Sequence, residues 1–362
     1  LTSNNGSLNF LGTSLVTGQV GTSTNKVATL TAGVVGERVT FSNDVFATST
    51  RITGVGTVTF NGDVTSNINF NQNGLVEFAD GSDLVGTIST STTNTGSVTY
   101  HGASTVTSAV GTTNSLASVT IQGGTVTLNS GSDWGVRTTF IRTNTASATA
   151  GTLKLGQNST LTGIVRVTDD PAVTGASTLD LSQYRATISD TLEIASGAML
   201  RTTVSTVSGT STTAGYVNAG STNVSTGSLL DVDVQAQYVE NGAVFMLVDS
   251  NGTAVGVPGT TTDNSATLSF TPSVNSANDL VMTAARANLS TLATNANGSE
   301  VGQTLNGFST GASGDIATVI ANLDTLNTAQ AYTDAVNQLD PDMNGGVNQA
   351  SFNSTGGALG TV

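Results

Sequence analysis

The single histidine, His101, is the first residue to consider for catalysis, because a serine protease needs a histidine as its general base. It follows Tyr100 in a segment, residues 96–102, that alternates apolar and polar side chains. The similar segment at residues 6–22 has Leu11 at the matching position. A position that accepts leucine is hard to reconcile with a catalytic base. The sequence also contains neither a Gly-x-Ser-x-Gly nor a Gly-Asp-Ser-Gly motif, so we expect no protease activity.

Residues 231–235, Asp-Val-Asp-Val-Gln, offer the best pair of carboxylates. Alternate residues of a strand point to the same side, so Asp231 and Asp233 share a face that Val232 and Val234 do not. Residues two apart lie roughly 6.6 Å from each other along a strand, which is near the lower end of the roughly 6.5 to 9.5 Å used by inverting glycosidases. A solvated outer face explains the same pattern, and no aromatic cluster lies nearby to stack on a sugar.

Residues 340–345, Asp-Pro-Asp-Met-Asn-Gly, match the first six positions of an EF-hand calcium loop. The twelfth position should supply a bidentate glutamate but is Ser351, so we interpret the segment as a turn that ends a helix. The sequence also lacks the Gly-x-Gly-x-x-Gly and P-loop motifs that cradle phosphates. We therefore assign no catalytic, cofactor-binding or metal-ligating residue and predict that the protein is not an enzyme and needs no cofactor.

The composition narrows the class of protein further. Charged residues make up 9% of the 362 residues, against roughly 25% in an ordinary soluble domain, and Thr, Ser, Asn and Gly take their place. The net charge is −14 and the 10 basic residues are scattered singly, which argues against nucleic acid as a partner, because phosphate binding needs clustered Lys and Arg. The lack of cysteine excludes disulfides and fits an exported bacterial protein.

From residue 6 to about residue 285 the chain alternates apolar residues with Thr, Ser or Asn in short runs bounded by Gly, Asn and Ser. This period of two predicts strands that bury one face. The clearest examples are residues 56–62, 96–102, 117–123, 125–129 and 152–156.

A longer repeat supports a solenoid, in which each coil of the chain packs on its neighbours. Residues 6–22 align with residues 96–112 at an offset of 90, and self-similarity at a fixed period is typical of solenoids. Strands over nearly 280 residues also exceed the usual length of one barrel or sandwich, roughly 200 to 250 residues. We predict an all-β fold, namely a right-handed parallel β-helix with coils of roughly 20 to 25 residues. Its repeat-containing part spans residues 1–165, and its continuation spans residues 166–285. A sandwich or a phage-fibre-like β-structure is the alternative.

Six phenylalanines lie within the first eighty residues, mostly in alternating segments: Phe10, Phe41, Phe46, Phe60, Phe70 and Phe78. We interpret them as core residues that stack from coil to coil. A hydrophobic ligand or partner surface is the alternative.

The pattern becomes helical near residue 286. Asp315 is positioned to cap a helix that carries apolar residues at helical spacing, and a second helical pattern ends before Pro341. We predict a short helical junction over residues 286–340. Residues 341–362 are rich in Gly, Asn and Ser and indicate a linker.

The order of these features resembles the passenger of a bacterial autotransporter, the type V secretion class. Residues 241–249, 266–270 and 278–286 are similar to the last β-helix coils of that family, which are thought to nucleate folding during export. Residues 331–341, Ala-Tyr-Thr-Asp-Ala-Val-Asn-Gln-Leu-Asp-Pro, with 346–350, resemble the helical junction before the outer-membrane barrel. The resemblance implies an outer-membrane β-barrel as partner, not in this chain, and residues 341–362 as the linker toward it.

Residues 56–62, 106–112 and 115–119 also resemble the Gly-, Thr- and Asn-rich repeats of passengers of the rickettsial outer-membrane protein B kind. That resemblance implies a protein at the bacterial cell surface that forms a surface layer or mediates adhesion. Its partners would be other copies of itself, a host cell or a neighbouring cell. The alternatives are a glycan-cleaving β-helix and a phage-type fibre or tailspike.

Overall fold

The computed structural model describes residues 4–111, 113–129, 134–207, 211–253 and 255–339. The chain divides into two compact units. Unit 1 comprises Leu1–Asp233, Val244–Asp263 and Phe270–Thr283, and unit 2 comprises Val234–Ala243, Asn264–Ser269 and Ala284–Val362. The predicted boundaries at residues 165, 285 and 340 stay predictions.

The strands of the described residues form two long sheets. The first sheet is formed by β1 (Asn5–Asn9), β3 (Val27–Ala32), β5 (Val45–Ile52), β7 (Val64–Phe70), β9 (Leu84–Val85), β10 (Ile88–Thr90), β12 (Ser104–Val106), β14 (Gly124–Leu128), β16 (Gly151–Leu155), β18 (Thr178–Asp180), β20 (Met199–Val207), β21 (Ser211–Ala214), β23 (Leu229–Val234) and β25 (Thr260–Asp263). The second is formed by β2 (Ser14–Val16), β4 (Arg38–Phe41), β6 (Thr57–Phe60), β8 (Leu75–Phe78), β11 (Ser97–Tyr100), β13 (Leu116–Gln122), β15 (Trp134–Arg142), β17 (Ser159–Thr168), β19 (Arg185–Ile194), β22 (Tyr216–Val224), β24 (Val244–Asp249), β26 (Leu268–Val274) and β27 (Leu280–Arg286).

The period of two produces these strands, as predicted. In β6, Val58 and Phe60 are buried while Thr57 and Thr59 are partly exposed. The other predicted examples also form strands, namely β11, β13, β14 and β16. Each pairs in parallel with the strand one coil away, and valines stack in register from β6 through β8 and β11 to β13. The chain is therefore mostly β, with long parallel sheets of many strands, which is consistent with the predicted β-helix.

The coils vary more in length than the predicted 20 to 25 residues. Contacts between successive coils join residues 18 apart at Thr59 and Glu77 and 31 apart at Asn218 and Asp249. The offset of 90 is consequently not a structural period: residues 6–9 lie in β1 of the first sheet, whereas residues 97–100 form β11 of the second. The match between Leu11 and His101 therefore does not identify equivalent sites, and Leu11 does not show what the position of His101 tolerates.

A column of aromatic rings fills the interior beside the second sheet. The rings of Phe41, Phe60, Phe78 and Tyr100 stack on successive coils with centroids 5.0 to 5.7 Å apart. Phe10 meets the ring of Phe41 edge-on at 5.3 Å. The predicted core role is confirmed for Phe41, Phe60, Phe70 and Phe78, which are fully buried, whereas Phe10 packs on the column but is itself only half-buried. The prediction was wrong for Phe46, which is only half-buried, because it lies between the inward-facing Val45 and Ala47 of β5.

Tyr100 is the last ring of the column, and its hydroxyl group has no hydrogen-bond partner among the described residues. Its side chain is fully buried and its hydroxyl makes no hydrogen bond. Burial raises the pKa of this hydroxyl, so the group stays neutral.

We expect Tyr100→Phe to leave the free energy of unfolding unchanged or to raise it by about 1 kcal/mol, because the substitution removes a buried hydroxyl that loses its hydrogen bonds to water on folding. Urea denaturation of the two proteins measures the difference. Tyr216→Phe is the matched control, since Tyr216 is half-buried and stacks with Arg185. A loss of stability in Tyr100→Phe would show that the hydroxyl has a partner.

Antiparallel pairings interrupt the parallel order near the end of unit 1. β20 pairs with β21 as an antiparallel hairpin, with Val204 opposite Ala214. β24 pairs with β27 in antiparallel fashion, with Val244 opposite Thr283. The three segments that resemble the last passenger coils overlap β24, β26 and β27, so that region is β-structure but is not uniformly parallel.

Unit 2 contains four helices, α1 (Leu289–Leu292), α2 (Ala296–Asn306), α3 (Gly314–Asp324) and α4 (Ala329–Asn337), within the described residues. Their buried residues form one cluster: Leu289, Leu305, Ile320, Leu323, Tyr332 and Val336. Asp315 was predicted to cap a helix, but the N-cap of α3 is Ser313 and Asp315 lies in the first turn. A carboxylate there still favours the helix, because it faces the positive end of the helix dipole.

A buried ion pair lies in the same unit. The Arg286 guanidinium donates to both carboxylate oxygens of Asp324, at 2.5 and 2.8 Å, and to the Val239 carbonyl at 2.6 Å. Thr267 donates a further hydrogen bond to Asp324 at 2.5 Å. Because the two charged side chains are only 2% and 0% exposed, each is held in the interior by the other.

Candidate functional site

Asp231 and Asp233 lie on β23 as the alternating pattern predicts. Both side chains are partly exposed, while Leu230, Val232 and Val234 are buried on the opposite face. The two carboxylates border a shallow cleft of about 310 Å³ on the outer surface of the first sheet. Lys154, Asp180, Ser182, Arg201 and Thr203 line the rest of this cleft.

The Asp231 carboxylate uses both of its oxygens as acceptors. Oδ2 accepts from the Arg201 guanidinium at 2.6 Å, and Oδ1 accepts from the Thr262 hydroxyl at 2.6 Å. Arg201 lies on the preceding coil and Thr262 on the following one, so Asp231 connects three coils of the sheet. Asp233 accepts a longer hydrogen bond, 3.4 Å, from the Thr203 hydroxyl.

Asp231 belongs to a row of alternating charges that we call the charge ladder: Lys154, Asp180, Arg201 and Asp231. Lys154 pairs in register with Asp180, and Asp180 with Arg201, on the neighbouring strands β16, β18 and β20. Arg201 then reaches Asp231 through its ion pair. Opposite charges on adjacent strands stabilise their pairing, so the ladder supports the stacking of coils.

The geometry of the cleft suits this structural role better than hydrolysis. A glycosidase needs one carboxyl group that protonates the leaving oxygen and a second that activates water or attacks the sugar. Asp231 instead has a cation on one oxygen and a hydroxyl donor on the other.

We expect Asp231→Asn to lower the free energy of unfolding by no more than about 1 kcal/mol, because the Arg201 and Asp231 side chains are 41% and 23% exposed and solvent screens the pair. Chemical denaturation measures the change. Asp233→Asn is the matched control on the same strand. A loss several times larger would mean that the ladder is a main source of stability.

The lone histidine is part of a second polar row, on the outer face of the second sheet. His101 Nε2 lies 3.5 Å from the Glu77 carboxylate, which also accepts from Arg38 at 2.7 Å and from Thr59 at 3.0 Å. Burial acts to raise the pKa of Glu77, but these hydrogen bonds and the charges of Arg38 and His101 outweigh it and hold the pKa below its usual value. These polar contacts connect side chains on successive coils, as the ion pairs of the charge ladder do.

The calcium-like segment at residues 340–345, with Ser351, lies outside the described residues, as does the linker predicted at residues 341–362. In the part of the chain that the structure does describe, no group of three or more metal-ligating side chains occurs. No helix of that part has the length and apolar character needed to cross a membrane.

Reasoning from the sequence found the two carboxylates but missed Lys154, Asp180 and Arg201. These residues are brought beside Asp231 by strand register, and the coils between them differ in length. A search for residues at one fixed spacing therefore does not connect them. The detectable signal is that each is the single charged residue of its strand.

Comparison with known proteins identifies one relative at the outer membrane. Outer membrane protein A of Rickettsia rickettsii is 31% identical to the chain over 263 residues, which cover 72% of this chain and 10% of the relative. The chain thus spans about a tenth of the length of the curated relative that it matches. No family model matches the chain, and no solved structure matches it. The predicted likeness to rickettsial outer-membrane proteins is confirmed at this coarse level. The similar protein is outer membrane protein A, whereas the repeats in the sequence had indicated the protein B kind.

Proposed function

We propose that the chain is part of an autotransporter passenger that is displayed at the bacterial cell surface and acts as a surface coat or an adhesin. The observation that carries this proposal is the similarity to a rickettsial outer membrane protein over 72% of the chain. The long parallel sheets fit it, since a passenger of this kind is expected to be a right-handed parallel β-helix. The same resemblance leads us to propose an outer-membrane β-barrel as a partner.

The outward-facing side chains suit a structural role. Neutral hydroxyl and amide groups form hydrogen bonds from coil to coil, as between Ser97 and Ser118 and between Asn69 and Ser89. Only 9% of the residues are charged. Neighbouring copies would therefore meet with little charge to desolvate, and many weak contacts would act together. We propose that the partners are other copies of the chain or a cell surface, that nucleic acid is not a partner, and that the protein is not an enzyme.

The test is whether the purified chain forms ordered arrays, seen by negative-stain electron microscopy, or increases attachment when immobilised beads carrying it are mixed with mammalian cells. Beads carrying heat-denatured chain are the control. We expect one of the two activities. A chain that stays monomeric and leaves attachment unchanged contradicts the proposal, and an obligate trimer would favour a phage-type fibre.

The cleft at Asp231 and Asp233 supports a second candidate function, cleavage of a glycan. The observations in its favour are the two carboxylates and the volume of the cleft that they border, about 310 Å³. Asp233→Asn would then abolish release of reducing ends from a plant or bacterial polysaccharide panel, while Thr203→Val would reduce it only in part. No release from any polysaccharide removes this candidate.

A further inference from the structure

A second cleft lies on the outer face of the first sheet, about 460 Å³ in volume, in the N-terminal part of unit 1 and away from the charge ladder. It crosses six coils and is lined by one or more residues from each, including Asn4, Lys26, Thr48, Asn67, Gly86 and Ser108. These residues lie along the direction in which the coils stack, so we call the feature the amide groove.

A bend in the strands forms the amide groove. The register between β5 and β7 shifts between Phe46 and Ser49. On the next coil, Gly86 separates β9 from β10 with a φ of +144°, and a Cβ there would lie 2.1 Å from the Ser66 carbonyl oxygen. Only glycine lets the backbone approach this closely. The bend is therefore set by the backbone conformation at these positions.

The polar groups in the amide groove are already oriented. The Asn67 Oδ1 atom accepts from the backbone N–H and the hydroxyl of Thr87, at 3.0 and 3.1 Å. Both bonds use the oxygen, so the amide plane is fixed and Nδ2 remains the donor for a ligand. Thr48 donates to the Asn4 side chain at 2.7 Å. Lys26 makes no ion pair with any described residue.

We propose that the amide groove binds an extended oligosaccharide, with its sugar units following the coils. Amide and hydroxyl groups form hydrogen bonds with sugar hydroxyls, and the coil repeat of about 4.8 Å is close to the length of one hexose in an extended chain. Lys26 would contact a carboxylate or sulfate where the glycan carries one. This inference deepens the adhesive part of the proposed function and rests on it for its biological meaning.

Other ligand classes fit the groove less well. An extended peptide would add to an open sheet edge through backbone hydrogen bonds, whereas this groove lies across the face of a paired sheet. A hydrophobic ligand would need an apolar lining, and here Ala47 and Val85 are accompanied mainly by Asn, Thr and Ser.

The experiment measures binding of four probes to the purified chain by isothermal titration calorimetry: cellohexaose, chitohexaose, maltohexaose and a heparan sulfate dodecasaccharide. We expect saturable binding of at least one probe. Asn67→Ala should weaken it by about 3- to 10-fold, the usual effect of one lost hydrogen bond. Thr48→Tyr should abolish it, because Thr48 is exposed and the larger side chain would fill the groove.

The matched control is Asn61→Ala, which alters an exposed asparagine that follows β6 in the other sheet and lies outside the groove. It should change the affinity by less than about twofold. Far-ultraviolet circular dichroism checks that each variant is folded. The proposal is overturned if none of the four probes binds, or if Asn67→Ala and Asn61→Ala behave alike. Such a failure leaves the array and attachment test of the proposed function unaffected, since that test needs no glycan.

Discussion

Phe60→Ala is expected to lower the free energy of unfolding of unit 1 by about 3–5 kcal/mol, the usual effect of truncating a buried phenylalanine to alanine. The Phe60 ring is fully buried between two others, with its centroid 5.3 Å from that of Phe41 and 5.7 Å from that of Phe78. Its removal takes away two stacking contacts and leaves a cavity that the paired backbones of β4, β6 and β8 cannot close.

Urea denaturation followed by circular dichroism measures this loss, and hydrogen exchange at the amides of β4, β6 and β8 locates it. Phe46→Ala is the matched control, because Phe46 is half-buried on a nearby strand of the other sheet, and it should cost roughly a third as much. Phe60→Leu should retain most of the stability, since leucine fills part of the cavity. If Phe46→Ala and Phe60→Ala lowered the free energy of unfolding equally, the aromatic column would not be a special source of stability.

Arg286→Ala is expected to destabilise unit 2 by about 3–5 kcal/mol, because it leaves a carboxylate buried without its cation. Asp324 is 0% exposed, and after the substitution its remaining described side-chain donor is the Thr267 hydroxyl. Arg286 also donates to the Val239 carbonyl and lies 5.8 Å from the centre of the Tyr238 ring. Loss of the guanidinium therefore removes several contacts within the unit at once.

A double variant separates the charge effect from packing. Arg286→Met combined with Asp324→Leu replaces the pair with apolar side chains of similar size and should recover most of the lost stability, because neither charge is then left unpaired. The control is Arg201→Ala in the exposed pair with Asp231, with an expected loss of at most about 1 kcal/mol. Thermal unfolding of the helices by circular dichroism reads out the two variants of unit 2, and urea denaturation of the chain reads out Arg201→Ala, which lies on a strand of unit 1. A double variant as unstable as Arg286→Ala would contradict this explanation.

The strands and their inward faces could be predicted from the sequence because alternation is a local property. Val58 and Phe60, or Val98 and Tyr100, are buried for the reason that the pattern gives: every second residue of a strand points the same way. The shared face of Asp231 and Asp233 follows from the same rule. The outward position of Phe46 could have been read in the same manner, since its neighbours Val45 and Ala47 occupy the inward positions.

The features that the sequence did not predict depend on which strands and helices lie beside one another. The ion pair of Arg286 joins residues 38 apart, and that of Arg201 joins residues 30 apart. Loops of different length set these distances, and the alternating pattern carries no information about loop length. The repeat at an offset of 90 was misleading for the same reason, because similar short strands recur in both sheets.

The charge ladder restricts how this region of the chain can lengthen during evolution. Its charges alternate in sign from one coil to the next, from Lys154 through Asp180 and Arg201 to Asp231. Duplication of one coil would place two like charges side by side, which opposes strand pairing. Duplication of two adjacent coils keeps the alternation, so gene segments that encode coil pairs are the increments that this region can gain or lose without electrostatic conflict.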